Sequence, residues 1–150
     1  KYKINLSQIL ITLEDTEQRR RAINAKRTFE NLFNLRYVPI VNENDSIATS
    51  EIKYGDNDRL ASRIAQISSA DCLILLSDVD GLYSANPKIN KNASLINEIV
   101  NIDSNIERIA TRSVGEHGTG GMITKIEAAK ICQNSGCKMV IENELVNRPK

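Results

Sequence analysis

Apolar residues along this chain follow two patterns of spacing, and each pattern predicts one type of secondary structure. Short, nearly continuous apolar runs such as "QILITL", "YVPIV" and "CKMVI" are typical of β-strands. The run "DCLILLSD" has the pattern of a strand that is covered on both faces of a sheet. We therefore predict strands over 8–13, 37–41, 71–78 and 137–141.

Other segments place apolar residues every three or four positions, which is the spacing of one helix face. Ala22, Ala25 and Phe29 recur at this spacing and predict a helix over 15–35. Similar patterns predict helices over 57–69 and 122–133, and the second ends at "NSG", a helix-terminating signal. Residues 47–54 alternate loosely and are interpreted as the arm of a hairpin.

Strands that alternate with helices indicate an α/β fold with a mostly parallel sheet. The sequence contains no internal repeat, and 150 residues is the length of one domain or of part of a larger one. In such sheets ligands bind beyond the carboxyl ends of the strands, so residues that follow the strands are candidates for a functional site.

The amino-acid composition indicates a globular protein and gives no sign of a nucleic-acid or membrane partner. Hydrophobic residues make up 41% of the chain and charged residues 26%, as in globular proteins, and the formal net charge is +1. This near-neutral balance predicts neither nucleic acid nor an anionic membrane surface as a partner. The apolar run "CLILL" is far shorter than a membrane span.

Three cysteines and a single histidine argue against a zinc site, and we expect no metal ligands among the site residues. Cys72 lies inside a strand pattern and is predicted to be a small buried apolar residue. Cys132 and Cys137 stand on either side of the predicted helix end at Gly136. Unpaired thiols are typical of a reducing compartment, so we expect a cytoplasmic protein.

Four polar clusters stand after predicted strands or at the starts of predicted helices. They are "NEND" at 42–45, "GDND" at 55–58, Ser77 with Asp78, and "GTGGMITK" at 118–125. Because the carboxyl ends of parallel strands meet at one edge of a sheet, we expect these clusters to converge there.

Each cluster also has a simpler interpretation, and the sequence leaves both open. The glycines at 118–121 form either a flexible turn or a nest of backbone amides that binds phosphate, with Lys125 one turn inside the helix. The "GDND" group is either a helix cap or part of a binding site. The "SDVDG" stretch lacks the later ligands of a calcium loop. We interpret His117 as a loop residue rather than a catalytic base.

Four blocks of the sequence also resemble a known family. They are "VPIVNEND", "YGDNDRLASRIA", "ADCLILLSDVDGLY" and "GTGGMITKIEAA". In this order they are similar to the blocks of the glutamate 5-kinases, a family of the amino acid kinase superfamily. The match runs from "QILIT" to "MVI", nearly the whole chain, and the "NEND" and "GDND" blocks distinguish this family from its relatives.

The resemblance implies an enzyme that transfers the γ-phosphoryl group of ATP to the side-chain carboxylate of L-glutamate, with Mg²⁺ as cofactor. The product, glutamyl 5-phosphate, is the first intermediate of proline biosynthesis. The implied fold is a three-layer α/β sandwich with a mostly parallel central sheet. Residues 1–150 would form the central and C-terminal, nucleotide-binding portion of that domain.

The resemblance also assigns roles to particular residues. Asp45 and Asn57 match glutamate-binding positions, with Asp56 beside them. Asp58 matches an aspartate that organises the charged groups around the transferred phosphoryl, and Lys125 adds positive charge, so these two are the expected catalytic residues. The expected nucleotide-binding residues are Ser77, Asp78, Thr119, Gly120, Gly121, Met122, Ile123, Thr124 and Lys125.

The chain departs from the family at its ends. Family members begin with a strand and a glycine-containing loop that carries a phosphate-binding lysine, and neither precedes "KYKINLSQ". The C-terminal end lacks the family's usual Asn-Gly turn. We therefore expect a partial domain that is inactive by itself. For the intact enzyme we expect proline feedback inhibition and a homo-oligomeric state.

Three alternatives stay open, and the simplest of them is a protein-interaction module. The first is another kinase of the superfamily, specific for UMP or acetylglutamate, and the "NEND" block argues against it. The second is a non-catalytic regulatory domain that binds an amino acid or a nucleotide, and the missing first segment favours it for the chain as it stands.

Overall fold

The computed structural model describes residues 3–44, 46, 56–87, 89–112 and 121–143 of the chain. Strands and helices alternate along it, as the two apolar patterns predict. In chain order the elements are β1 Asn5–Ile11, α1 Leu13–Glu17, α2 Arg19–Asn34, β2 Tyr37–Glu43, α3 Asp56–Ser68, β3 Cys72–Ser77, α4 Ser104–Arg112, α5 Gly121–Ser135 and β4 Lys138–Asn143.

The described strands pair in parallel, which confirms the predicted α/β class. β1 pairs with β2 and their ends lie side by side, with Ile11 opposite Glu43. β3 pairs with β4, and Ser77 lies opposite Asn143 at the carboxyl end. The described strands thus form two parallel pairs, where the sequence predicts one sheet.

Each pair has one covered face and one open face. α2 packs on β2, α3 on β3 and α5 on β4. Most of the side chains that point away from these helices are exposed and apolar, and we call the surfaces that these apolar residues form the open faces. The residues are Leu6, Leu10, Val38 and Ile40 on the first pair, and Ile74, Leu76 and Val140 on the second. Parallel sheets are normally covered on both faces, so the open faces are apolar surface without a covering layer among the described residues.

Two apolar clusters hold the helices against the second pair of strands. The first contains Leu82, Ala110, Met122 and Ile126, with Ile141 of β4 packed against it. The second contains the buried residues Ala65, Cys132 and Cys137, together with Leu73 and Met139 of the covered strand faces. Burial of such side chains stabilises the fold by about 1.5–3 kcal/mol each.

Thr12 follows β1 and caps α1 through a reciprocal pair of hydrogen bonds with Asp15. The Asp15 backbone N–H donates to the Thr12 hydroxyl over 3.2 Å, and the Asp15 carboxylate accepts from the Thr12 N–H over 2.9 Å. Burial acts to raise the pKa of Asp15, but hydrogen bonds from Thr12 and Arg21 outweigh it, so the pKa is lowered. This capping box satisfies backbone donors that the first helical turn leaves unpaired.

The helix predicted over 15–35 is in fact two helices, so that prediction is wrong in its detail. Gln18 has an extended backbone, with φ −76° and ψ 115°, and ends α1 before α2 begins. Glu17 accepts a hydrogen bond from Arg59 of α3 over 2.8 Å, while Arg21 donates back to Asp15. The contact to Arg59 is tertiary and the contact to Asp15 spans the break, and the spacing of apolar residues cannot reveal either of them.

Helix α4 has no counterpart in the sequence-based prediction. Asp103 caps it, because its carboxylate accepts from the backbone N–H groups of Asn105 and Ile106 over 3.0 and 2.9 Å. Ile106 and Ile109 pack against the first apolar cluster. The signal was present in the sequence as an aspartate followed by isoleucines at helical spacing.

The predicted end of α5 is confirmed. Gly136 has a φ of 75°, which favours glycine, and the Cys137 N–H donates to the Cys132 carbonyl over 3.0 Å. Burial, assisted by the neighbouring Cys137, raises the pKa of Cys132 to about 12. The prediction for Cys72 is wrong, because its side chain is exposed on the side of β3 that no described helix covers.

The predicted hairpin arm at 47–54 and His117 lie outside the described residues. None of the described helices is long and apolar enough to span a bilayer.

Candidate functional site

The carboxyl end of β2 leads into the first predicted cluster. The Asn44 N–H donates to the Ile11 carbonyl over 3.2 Å, so the chain that leaves β2 lies against the end of β1. Asp45, Thr119 and Gly120 lie outside the described residues, as does the side chain of Asp56. Their expected roles therefore stay predictions.

Helices α3 and α5 pack against each other and bring two of the predicted clusters together. Asp58 stands in the first turn of α3, and Lys125 stands one turn inside α5. The Lys125 ammonium donates to Oδ2 of Asp58 over 3.0 Å. Only 13% of the lysine side chain and 20% of the aspartate side chain are exposed. The pair is thus well shielded from solvent, where a charge interaction is stronger than at an open surface.

The same carboxylate oxygen has a second donor. The Thr124 hydroxyl lies 3.0 Å from Oδ2 of Asp58 and 3.0 Å from the Gly121 carbonyl. Two consecutive residues of α5 therefore hold one oxygen of Asp58. The sequence predicts all three residues as site residues, but it does not predict that they contact one another.

Asn57 precedes Asp58 and has an exposed side chain in the first turn of α3. Its carboxamide offers both a donor and an acceptor to solvent beside the shielded ion pair. The structure therefore places a neutral polar group next to a charged one at the start of the same helix.

Ser77 and Asp78 stand at the carboxyl end of β3, as predicted. Ser77 is buried, with 6% of its surface exposed, and its hydroxyl donates to Asp78 over 3.3 Å. Asp78 itself is exposed. This arrangement leaves the aspartate open to a ligand while the serine fixes one of its oxygens.

Asp80 joins the segment after β3 to the end of β4, and the sequence-based reasoning did not assign it a role. The Asn143 side-chain amide donates to it over 2.8 Å, and the Tyr83 hydroxyl donates over 3.0 Å. The hydrogen bond to Asp80 raises the pKa of Tyr83. The two strand exits are therefore tied together next to Asp78.

The described part of the glycine-rich stretch divides between core and surface. Gly121 begins α5, and an added Cβ there meets none of the described atoms within 4 Å. The Met122 side chain is buried in the first apolar cluster, whereas Ile123 is exposed. A contact of Met122 with a ligand would therefore have to involve its backbone.

This arrangement suits an anionic ligand. The first four N–H groups of a helix lack intrahelical partners, and the helix dipole favours negative charge at that end. At the start of α5, Lys125 adds an ammonium that the carboxylate of Asp58 orients. Phosphate groups are the ligands that helix starts of this kind commonly bind.

Comparison with known proteins assigns the chain to a class. The model of the amino acid kinase family matches residues 1–143, and the chain belongs to this family. Curated relatives give a more particular likeness, to proteins named glutamate 5-kinase.

The chain is 80% identical over 149 residues to the glutamate 5-kinase of Pelagibacter ubique (strain HTCC1062), and the match covers 99% of this chain. It is 52% identical over 146 residues to the glutamate 5-kinase of Bradyrhizobium diazoefficiens (strain USDA 110), which covers 97% of the chain. A third relative, from Paramagnetospirillum magneticum, is 49% identical over 140 residues. The chain spans about 40% of the length of these relatives.

Proposed function

We propose that this chain contributes the central and C-terminal, nucleotide-binding part of a glutamate 5-kinase. The enzyme would transfer the γ-phosphoryl group of ATP to the side-chain carboxylate of L-glutamate. The observation that carries the proposal is the 80% identity to a glutamate 5-kinase over 99% of the chain. Residues 1–143 also match the family model, which supports a role within the kinase domain.

The residue types at the site fit this chemistry. The glutamate carboxylate has a reference pKa of about 4.3, so it is ionised at neutral pH and needs no general base. Phosphoryl transfer needs positioning and neutralisation of charge. Lys125, held at 3.0 Å by Asp58, and the backbone amides at the start of α5 supply positive charge.

The donor set also fits a Mg²⁺ ion that arrives with ATP. Among the described residues no three His, Cys, Asp or Glu side chains form a metal-binding group. Mg²⁺ is commonly bound by one or two carboxylates together with substrate phosphates. In this proposal exposed Asp78 would be the protein carboxylate that holds the ion, which would supply positive charge against the phosphates.

The remaining roles follow the family resemblance. Asp45, Asp56 and Asn57 would bind glutamate through its ammonium and carboxylate groups. Ser77 and the stretch from Thr119 to Lys125 would bind the nucleotide. Exposed Asn57, beside Asp58, supports the first assignment because its carboxamide can both donate and accept.

A full-length chimera tests the proposal. In it this chain replaces the matching 149-residue segment of the Pelagibacter ubique enzyme, to which it is 80% identical. We expect ADP formation that depends on L-glutamate, and an acyl phosphate product that hydroxylamine traps. ADP formation with UMP or acetylglutamate instead would contradict the substrate assignment. Nucleotide binding with no turnover on any acceptor would favour a regulatory domain.

We further propose a cytoplasmic, homo-oligomeric enzyme with feedback inhibition by proline. The three free cysteines support the location, because unpaired thiols persist in reducing compartments. Sedimentation of the chimera tests the oligomeric state, and a proline titration of its activity tests the inhibition.

A further inference from the structure

One oxygen of Asp58 has two donors of different chemical character. The Lys125 ammonium and the Thr124 hydroxyl both lie 3.0 Å from Oδ2. The ammonium carries three protons and stands on a flexible stem, whereas the threonine side chain is short and stiff at its first torsion. The hydroxyl is therefore the more rigid of the two partners.

The Thr124 hydroxyl has one proton, and two acceptors in the described part of the chain lie at equal distance from it. Besides Asp58, the Gly121 carbonyl lies 3.0 Å away in the preceding turn of α5. Threonines inside helices commonly donate to such a carbonyl, and Thr111 of α4 does so to Glu107 over 2.9 Å. The Thr124 hydroxyl differs, because it also lies within hydrogen-bond distance of the Asp58 carboxylate on α3.

A carboxylate that is held only by a mobile lysine follows that lysine when it moves. In the proposed kinase the Lys125 ammonium must turn towards the phosphoryl group, and Asp58 must stay in place to direct it. A hydrogen bond to a charged group is stronger than one between neutral groups, so the Thr124 hydroxyl can keep the carboxylate in position during this movement.

We propose that Thr124 is a positioning residue, whose hydroxyl holds the Asp58 carboxylate so that the carboxylate orients the Lys125 ammonium. The role rests on the proposed function and concerns the same site. Thr124 acts through Asp58 by its hydroxyl, and its part in the proposed nucleotide-binding stretch falls to its backbone rather than to this hydroxyl.

Thr124→Val in the full-length chimera tests this role, because valine keeps the shape of the side chain and removes the hydroxyl. We expect kcat to fall roughly 10-fold, the effect of one lost hydrogen bond to a charged group. The KM values for ATP and L-glutamate should change less than about twofold. Thr124→Ser, which keeps the hydroxyl, should restore most of the activity.

Thr111→Val is the matched control. It removes a hydroxyl that donates to a backbone carbonyl of its own helix, and Thr111 lies at an exposed position of α4. Its kcat should equal that of the unmodified chimera. Should Thr124→Val fail to fold, Thr124→Ala removes the same hydroxyl with a residue that favours helices.

A double substitution separates action through Asp58 from a direct effect. In an Asp58→Ala background Thr124→Val should cause no further loss of kcat beyond about twofold. Losses that multiply overturn the positioning role, and so does an active chimera in which Thr124→Val behaves like Thr111→Val. A chimera that phosphorylates no acceptor overturns the proposed function and the role with it.

Discussion

Lys125 carries a charge that is shielded from solvent but not fully buried. This position determines whether its removal changes turnover or nucleotide affinity more strongly. With 13% of its side chain exposed and Asp58 at 3.0 Å, the ammonium is oriented before any ligand binds. Preorganised charge of this kind acts most strongly where new charge develops during a reaction. Lys125 is therefore expected to contribute more to turnover than to nucleotide affinity.

Lys125→Ala in the full-length chimera should lower kcat by roughly 10²- to 10³-fold and change the KM for ATP much less. Lys125→Arg should restore little, because a planar guanidinium does not replace a compact ammonium. Steady-state kinetics check both. Lys130→Ala is the matched control, since Lys130 stands on the same helix and pairs with Glu107.

A near-normal kcat with a raised KM for ATP would show that Lys125 only anchors the nucleotide.

Asn57 belongs to the substrate side of the site in our proposal. Asn57→Ala in the chimera should raise the KM for L-glutamate roughly 10- to 100-fold, because a hydrogen bond to a charged group contributes about 1.5–3 kcal/mol. The KM for ATP should stay nearly constant. Gln66→Ala, an exposed change on the same helix, should leave both values unchanged. The opposite pattern, with ATP affected and glutamate not, would reverse the assignment.

Residue identities were easier to predict than residue contacts. The sequence marks Asp58, Thr124 and Lys125 as site residues by their motifs. Asp58 and Lys125 are far apart along the chain, and only the packing of α3 on α5 joins them. Asp80 was missed as a link between strand exits because its partner Asn143 lies at the end of another strand.

The start of α1 is the element whose stability depends on a titrating group. The pKa of Asp15 is lowered in the fold, so its carboxylate adds stability above its unfolded pKa of about 3.9. That stability is lost as the pH falls through the lower, folded value. The first helix is therefore expected to loosen in acid.

Asp15→Asn should lower the free energy of unfolding at pH 7 by about 1 kcal/mol and flatten its dependence on pH below about 4. Urea unfolding of the chain between pH 2 and 7 measures both. Thr12→Ser keeps the capping hydroxyl and should retain the acid dependence. An Asp15→Asn variant with the unchanged acid slope would exclude the capping box as its source.

The sequence predicts helices and strands that have a regular apolar spacing, but it does not predict where such an element is broken. The strands, α3 and the glycine that ends α5 follow from local pattern and backbone preference. The break at Gln18 lies beside Glu17, which binds Arg59 of another helix, and no local window of sequence contains that contact. Helix α4 shows a missed local signal, since Asp103 caps a regular isoleucine spacing.

At the scale of the whole molecule, the open faces show that the described residues cover only one side of each pair of strands. Side chains such as Leu76, 60% exposed, and Ile74, 59% exposed, stand on strands whose pattern predicts two covering layers. The described helices supply one layer. The prediction that β3 is covered on both faces is therefore not confirmed, because the described residues cover only one face of this strand.

Residues 1–150 alone should show no appreciable turnover with L-glutamate and ATP. The chain covers 40% of the relative from Pelagibacter ubique, so that glutamate 5-kinase is about 2.5 times longer. The full-length chimera, assayed beside it for ADP release, provides the positive control. Robust glutamate-dependent ADP release by the isolated chain would show that it carries a complete site.

The exposed thiol of Cys72 makes it possible to measure by chemical labelling how accessible the open face of β3 is. Cys72 stands on the uncovered side of β3. Cys137 is only 6% exposed, and Cys132 is 1% exposed with its pKa raised to about 12, so both buried thiols should react slowly. A maleimide should therefore label the isolated chain rapidly at one position, and Cys72→Ser should abolish that label. In the full-length chimera the labelling rate of Cys72 measures how completely neighbouring chain shields this strand. Equal rates in both proteins would mean that the strand stays bare even in the longer enzyme.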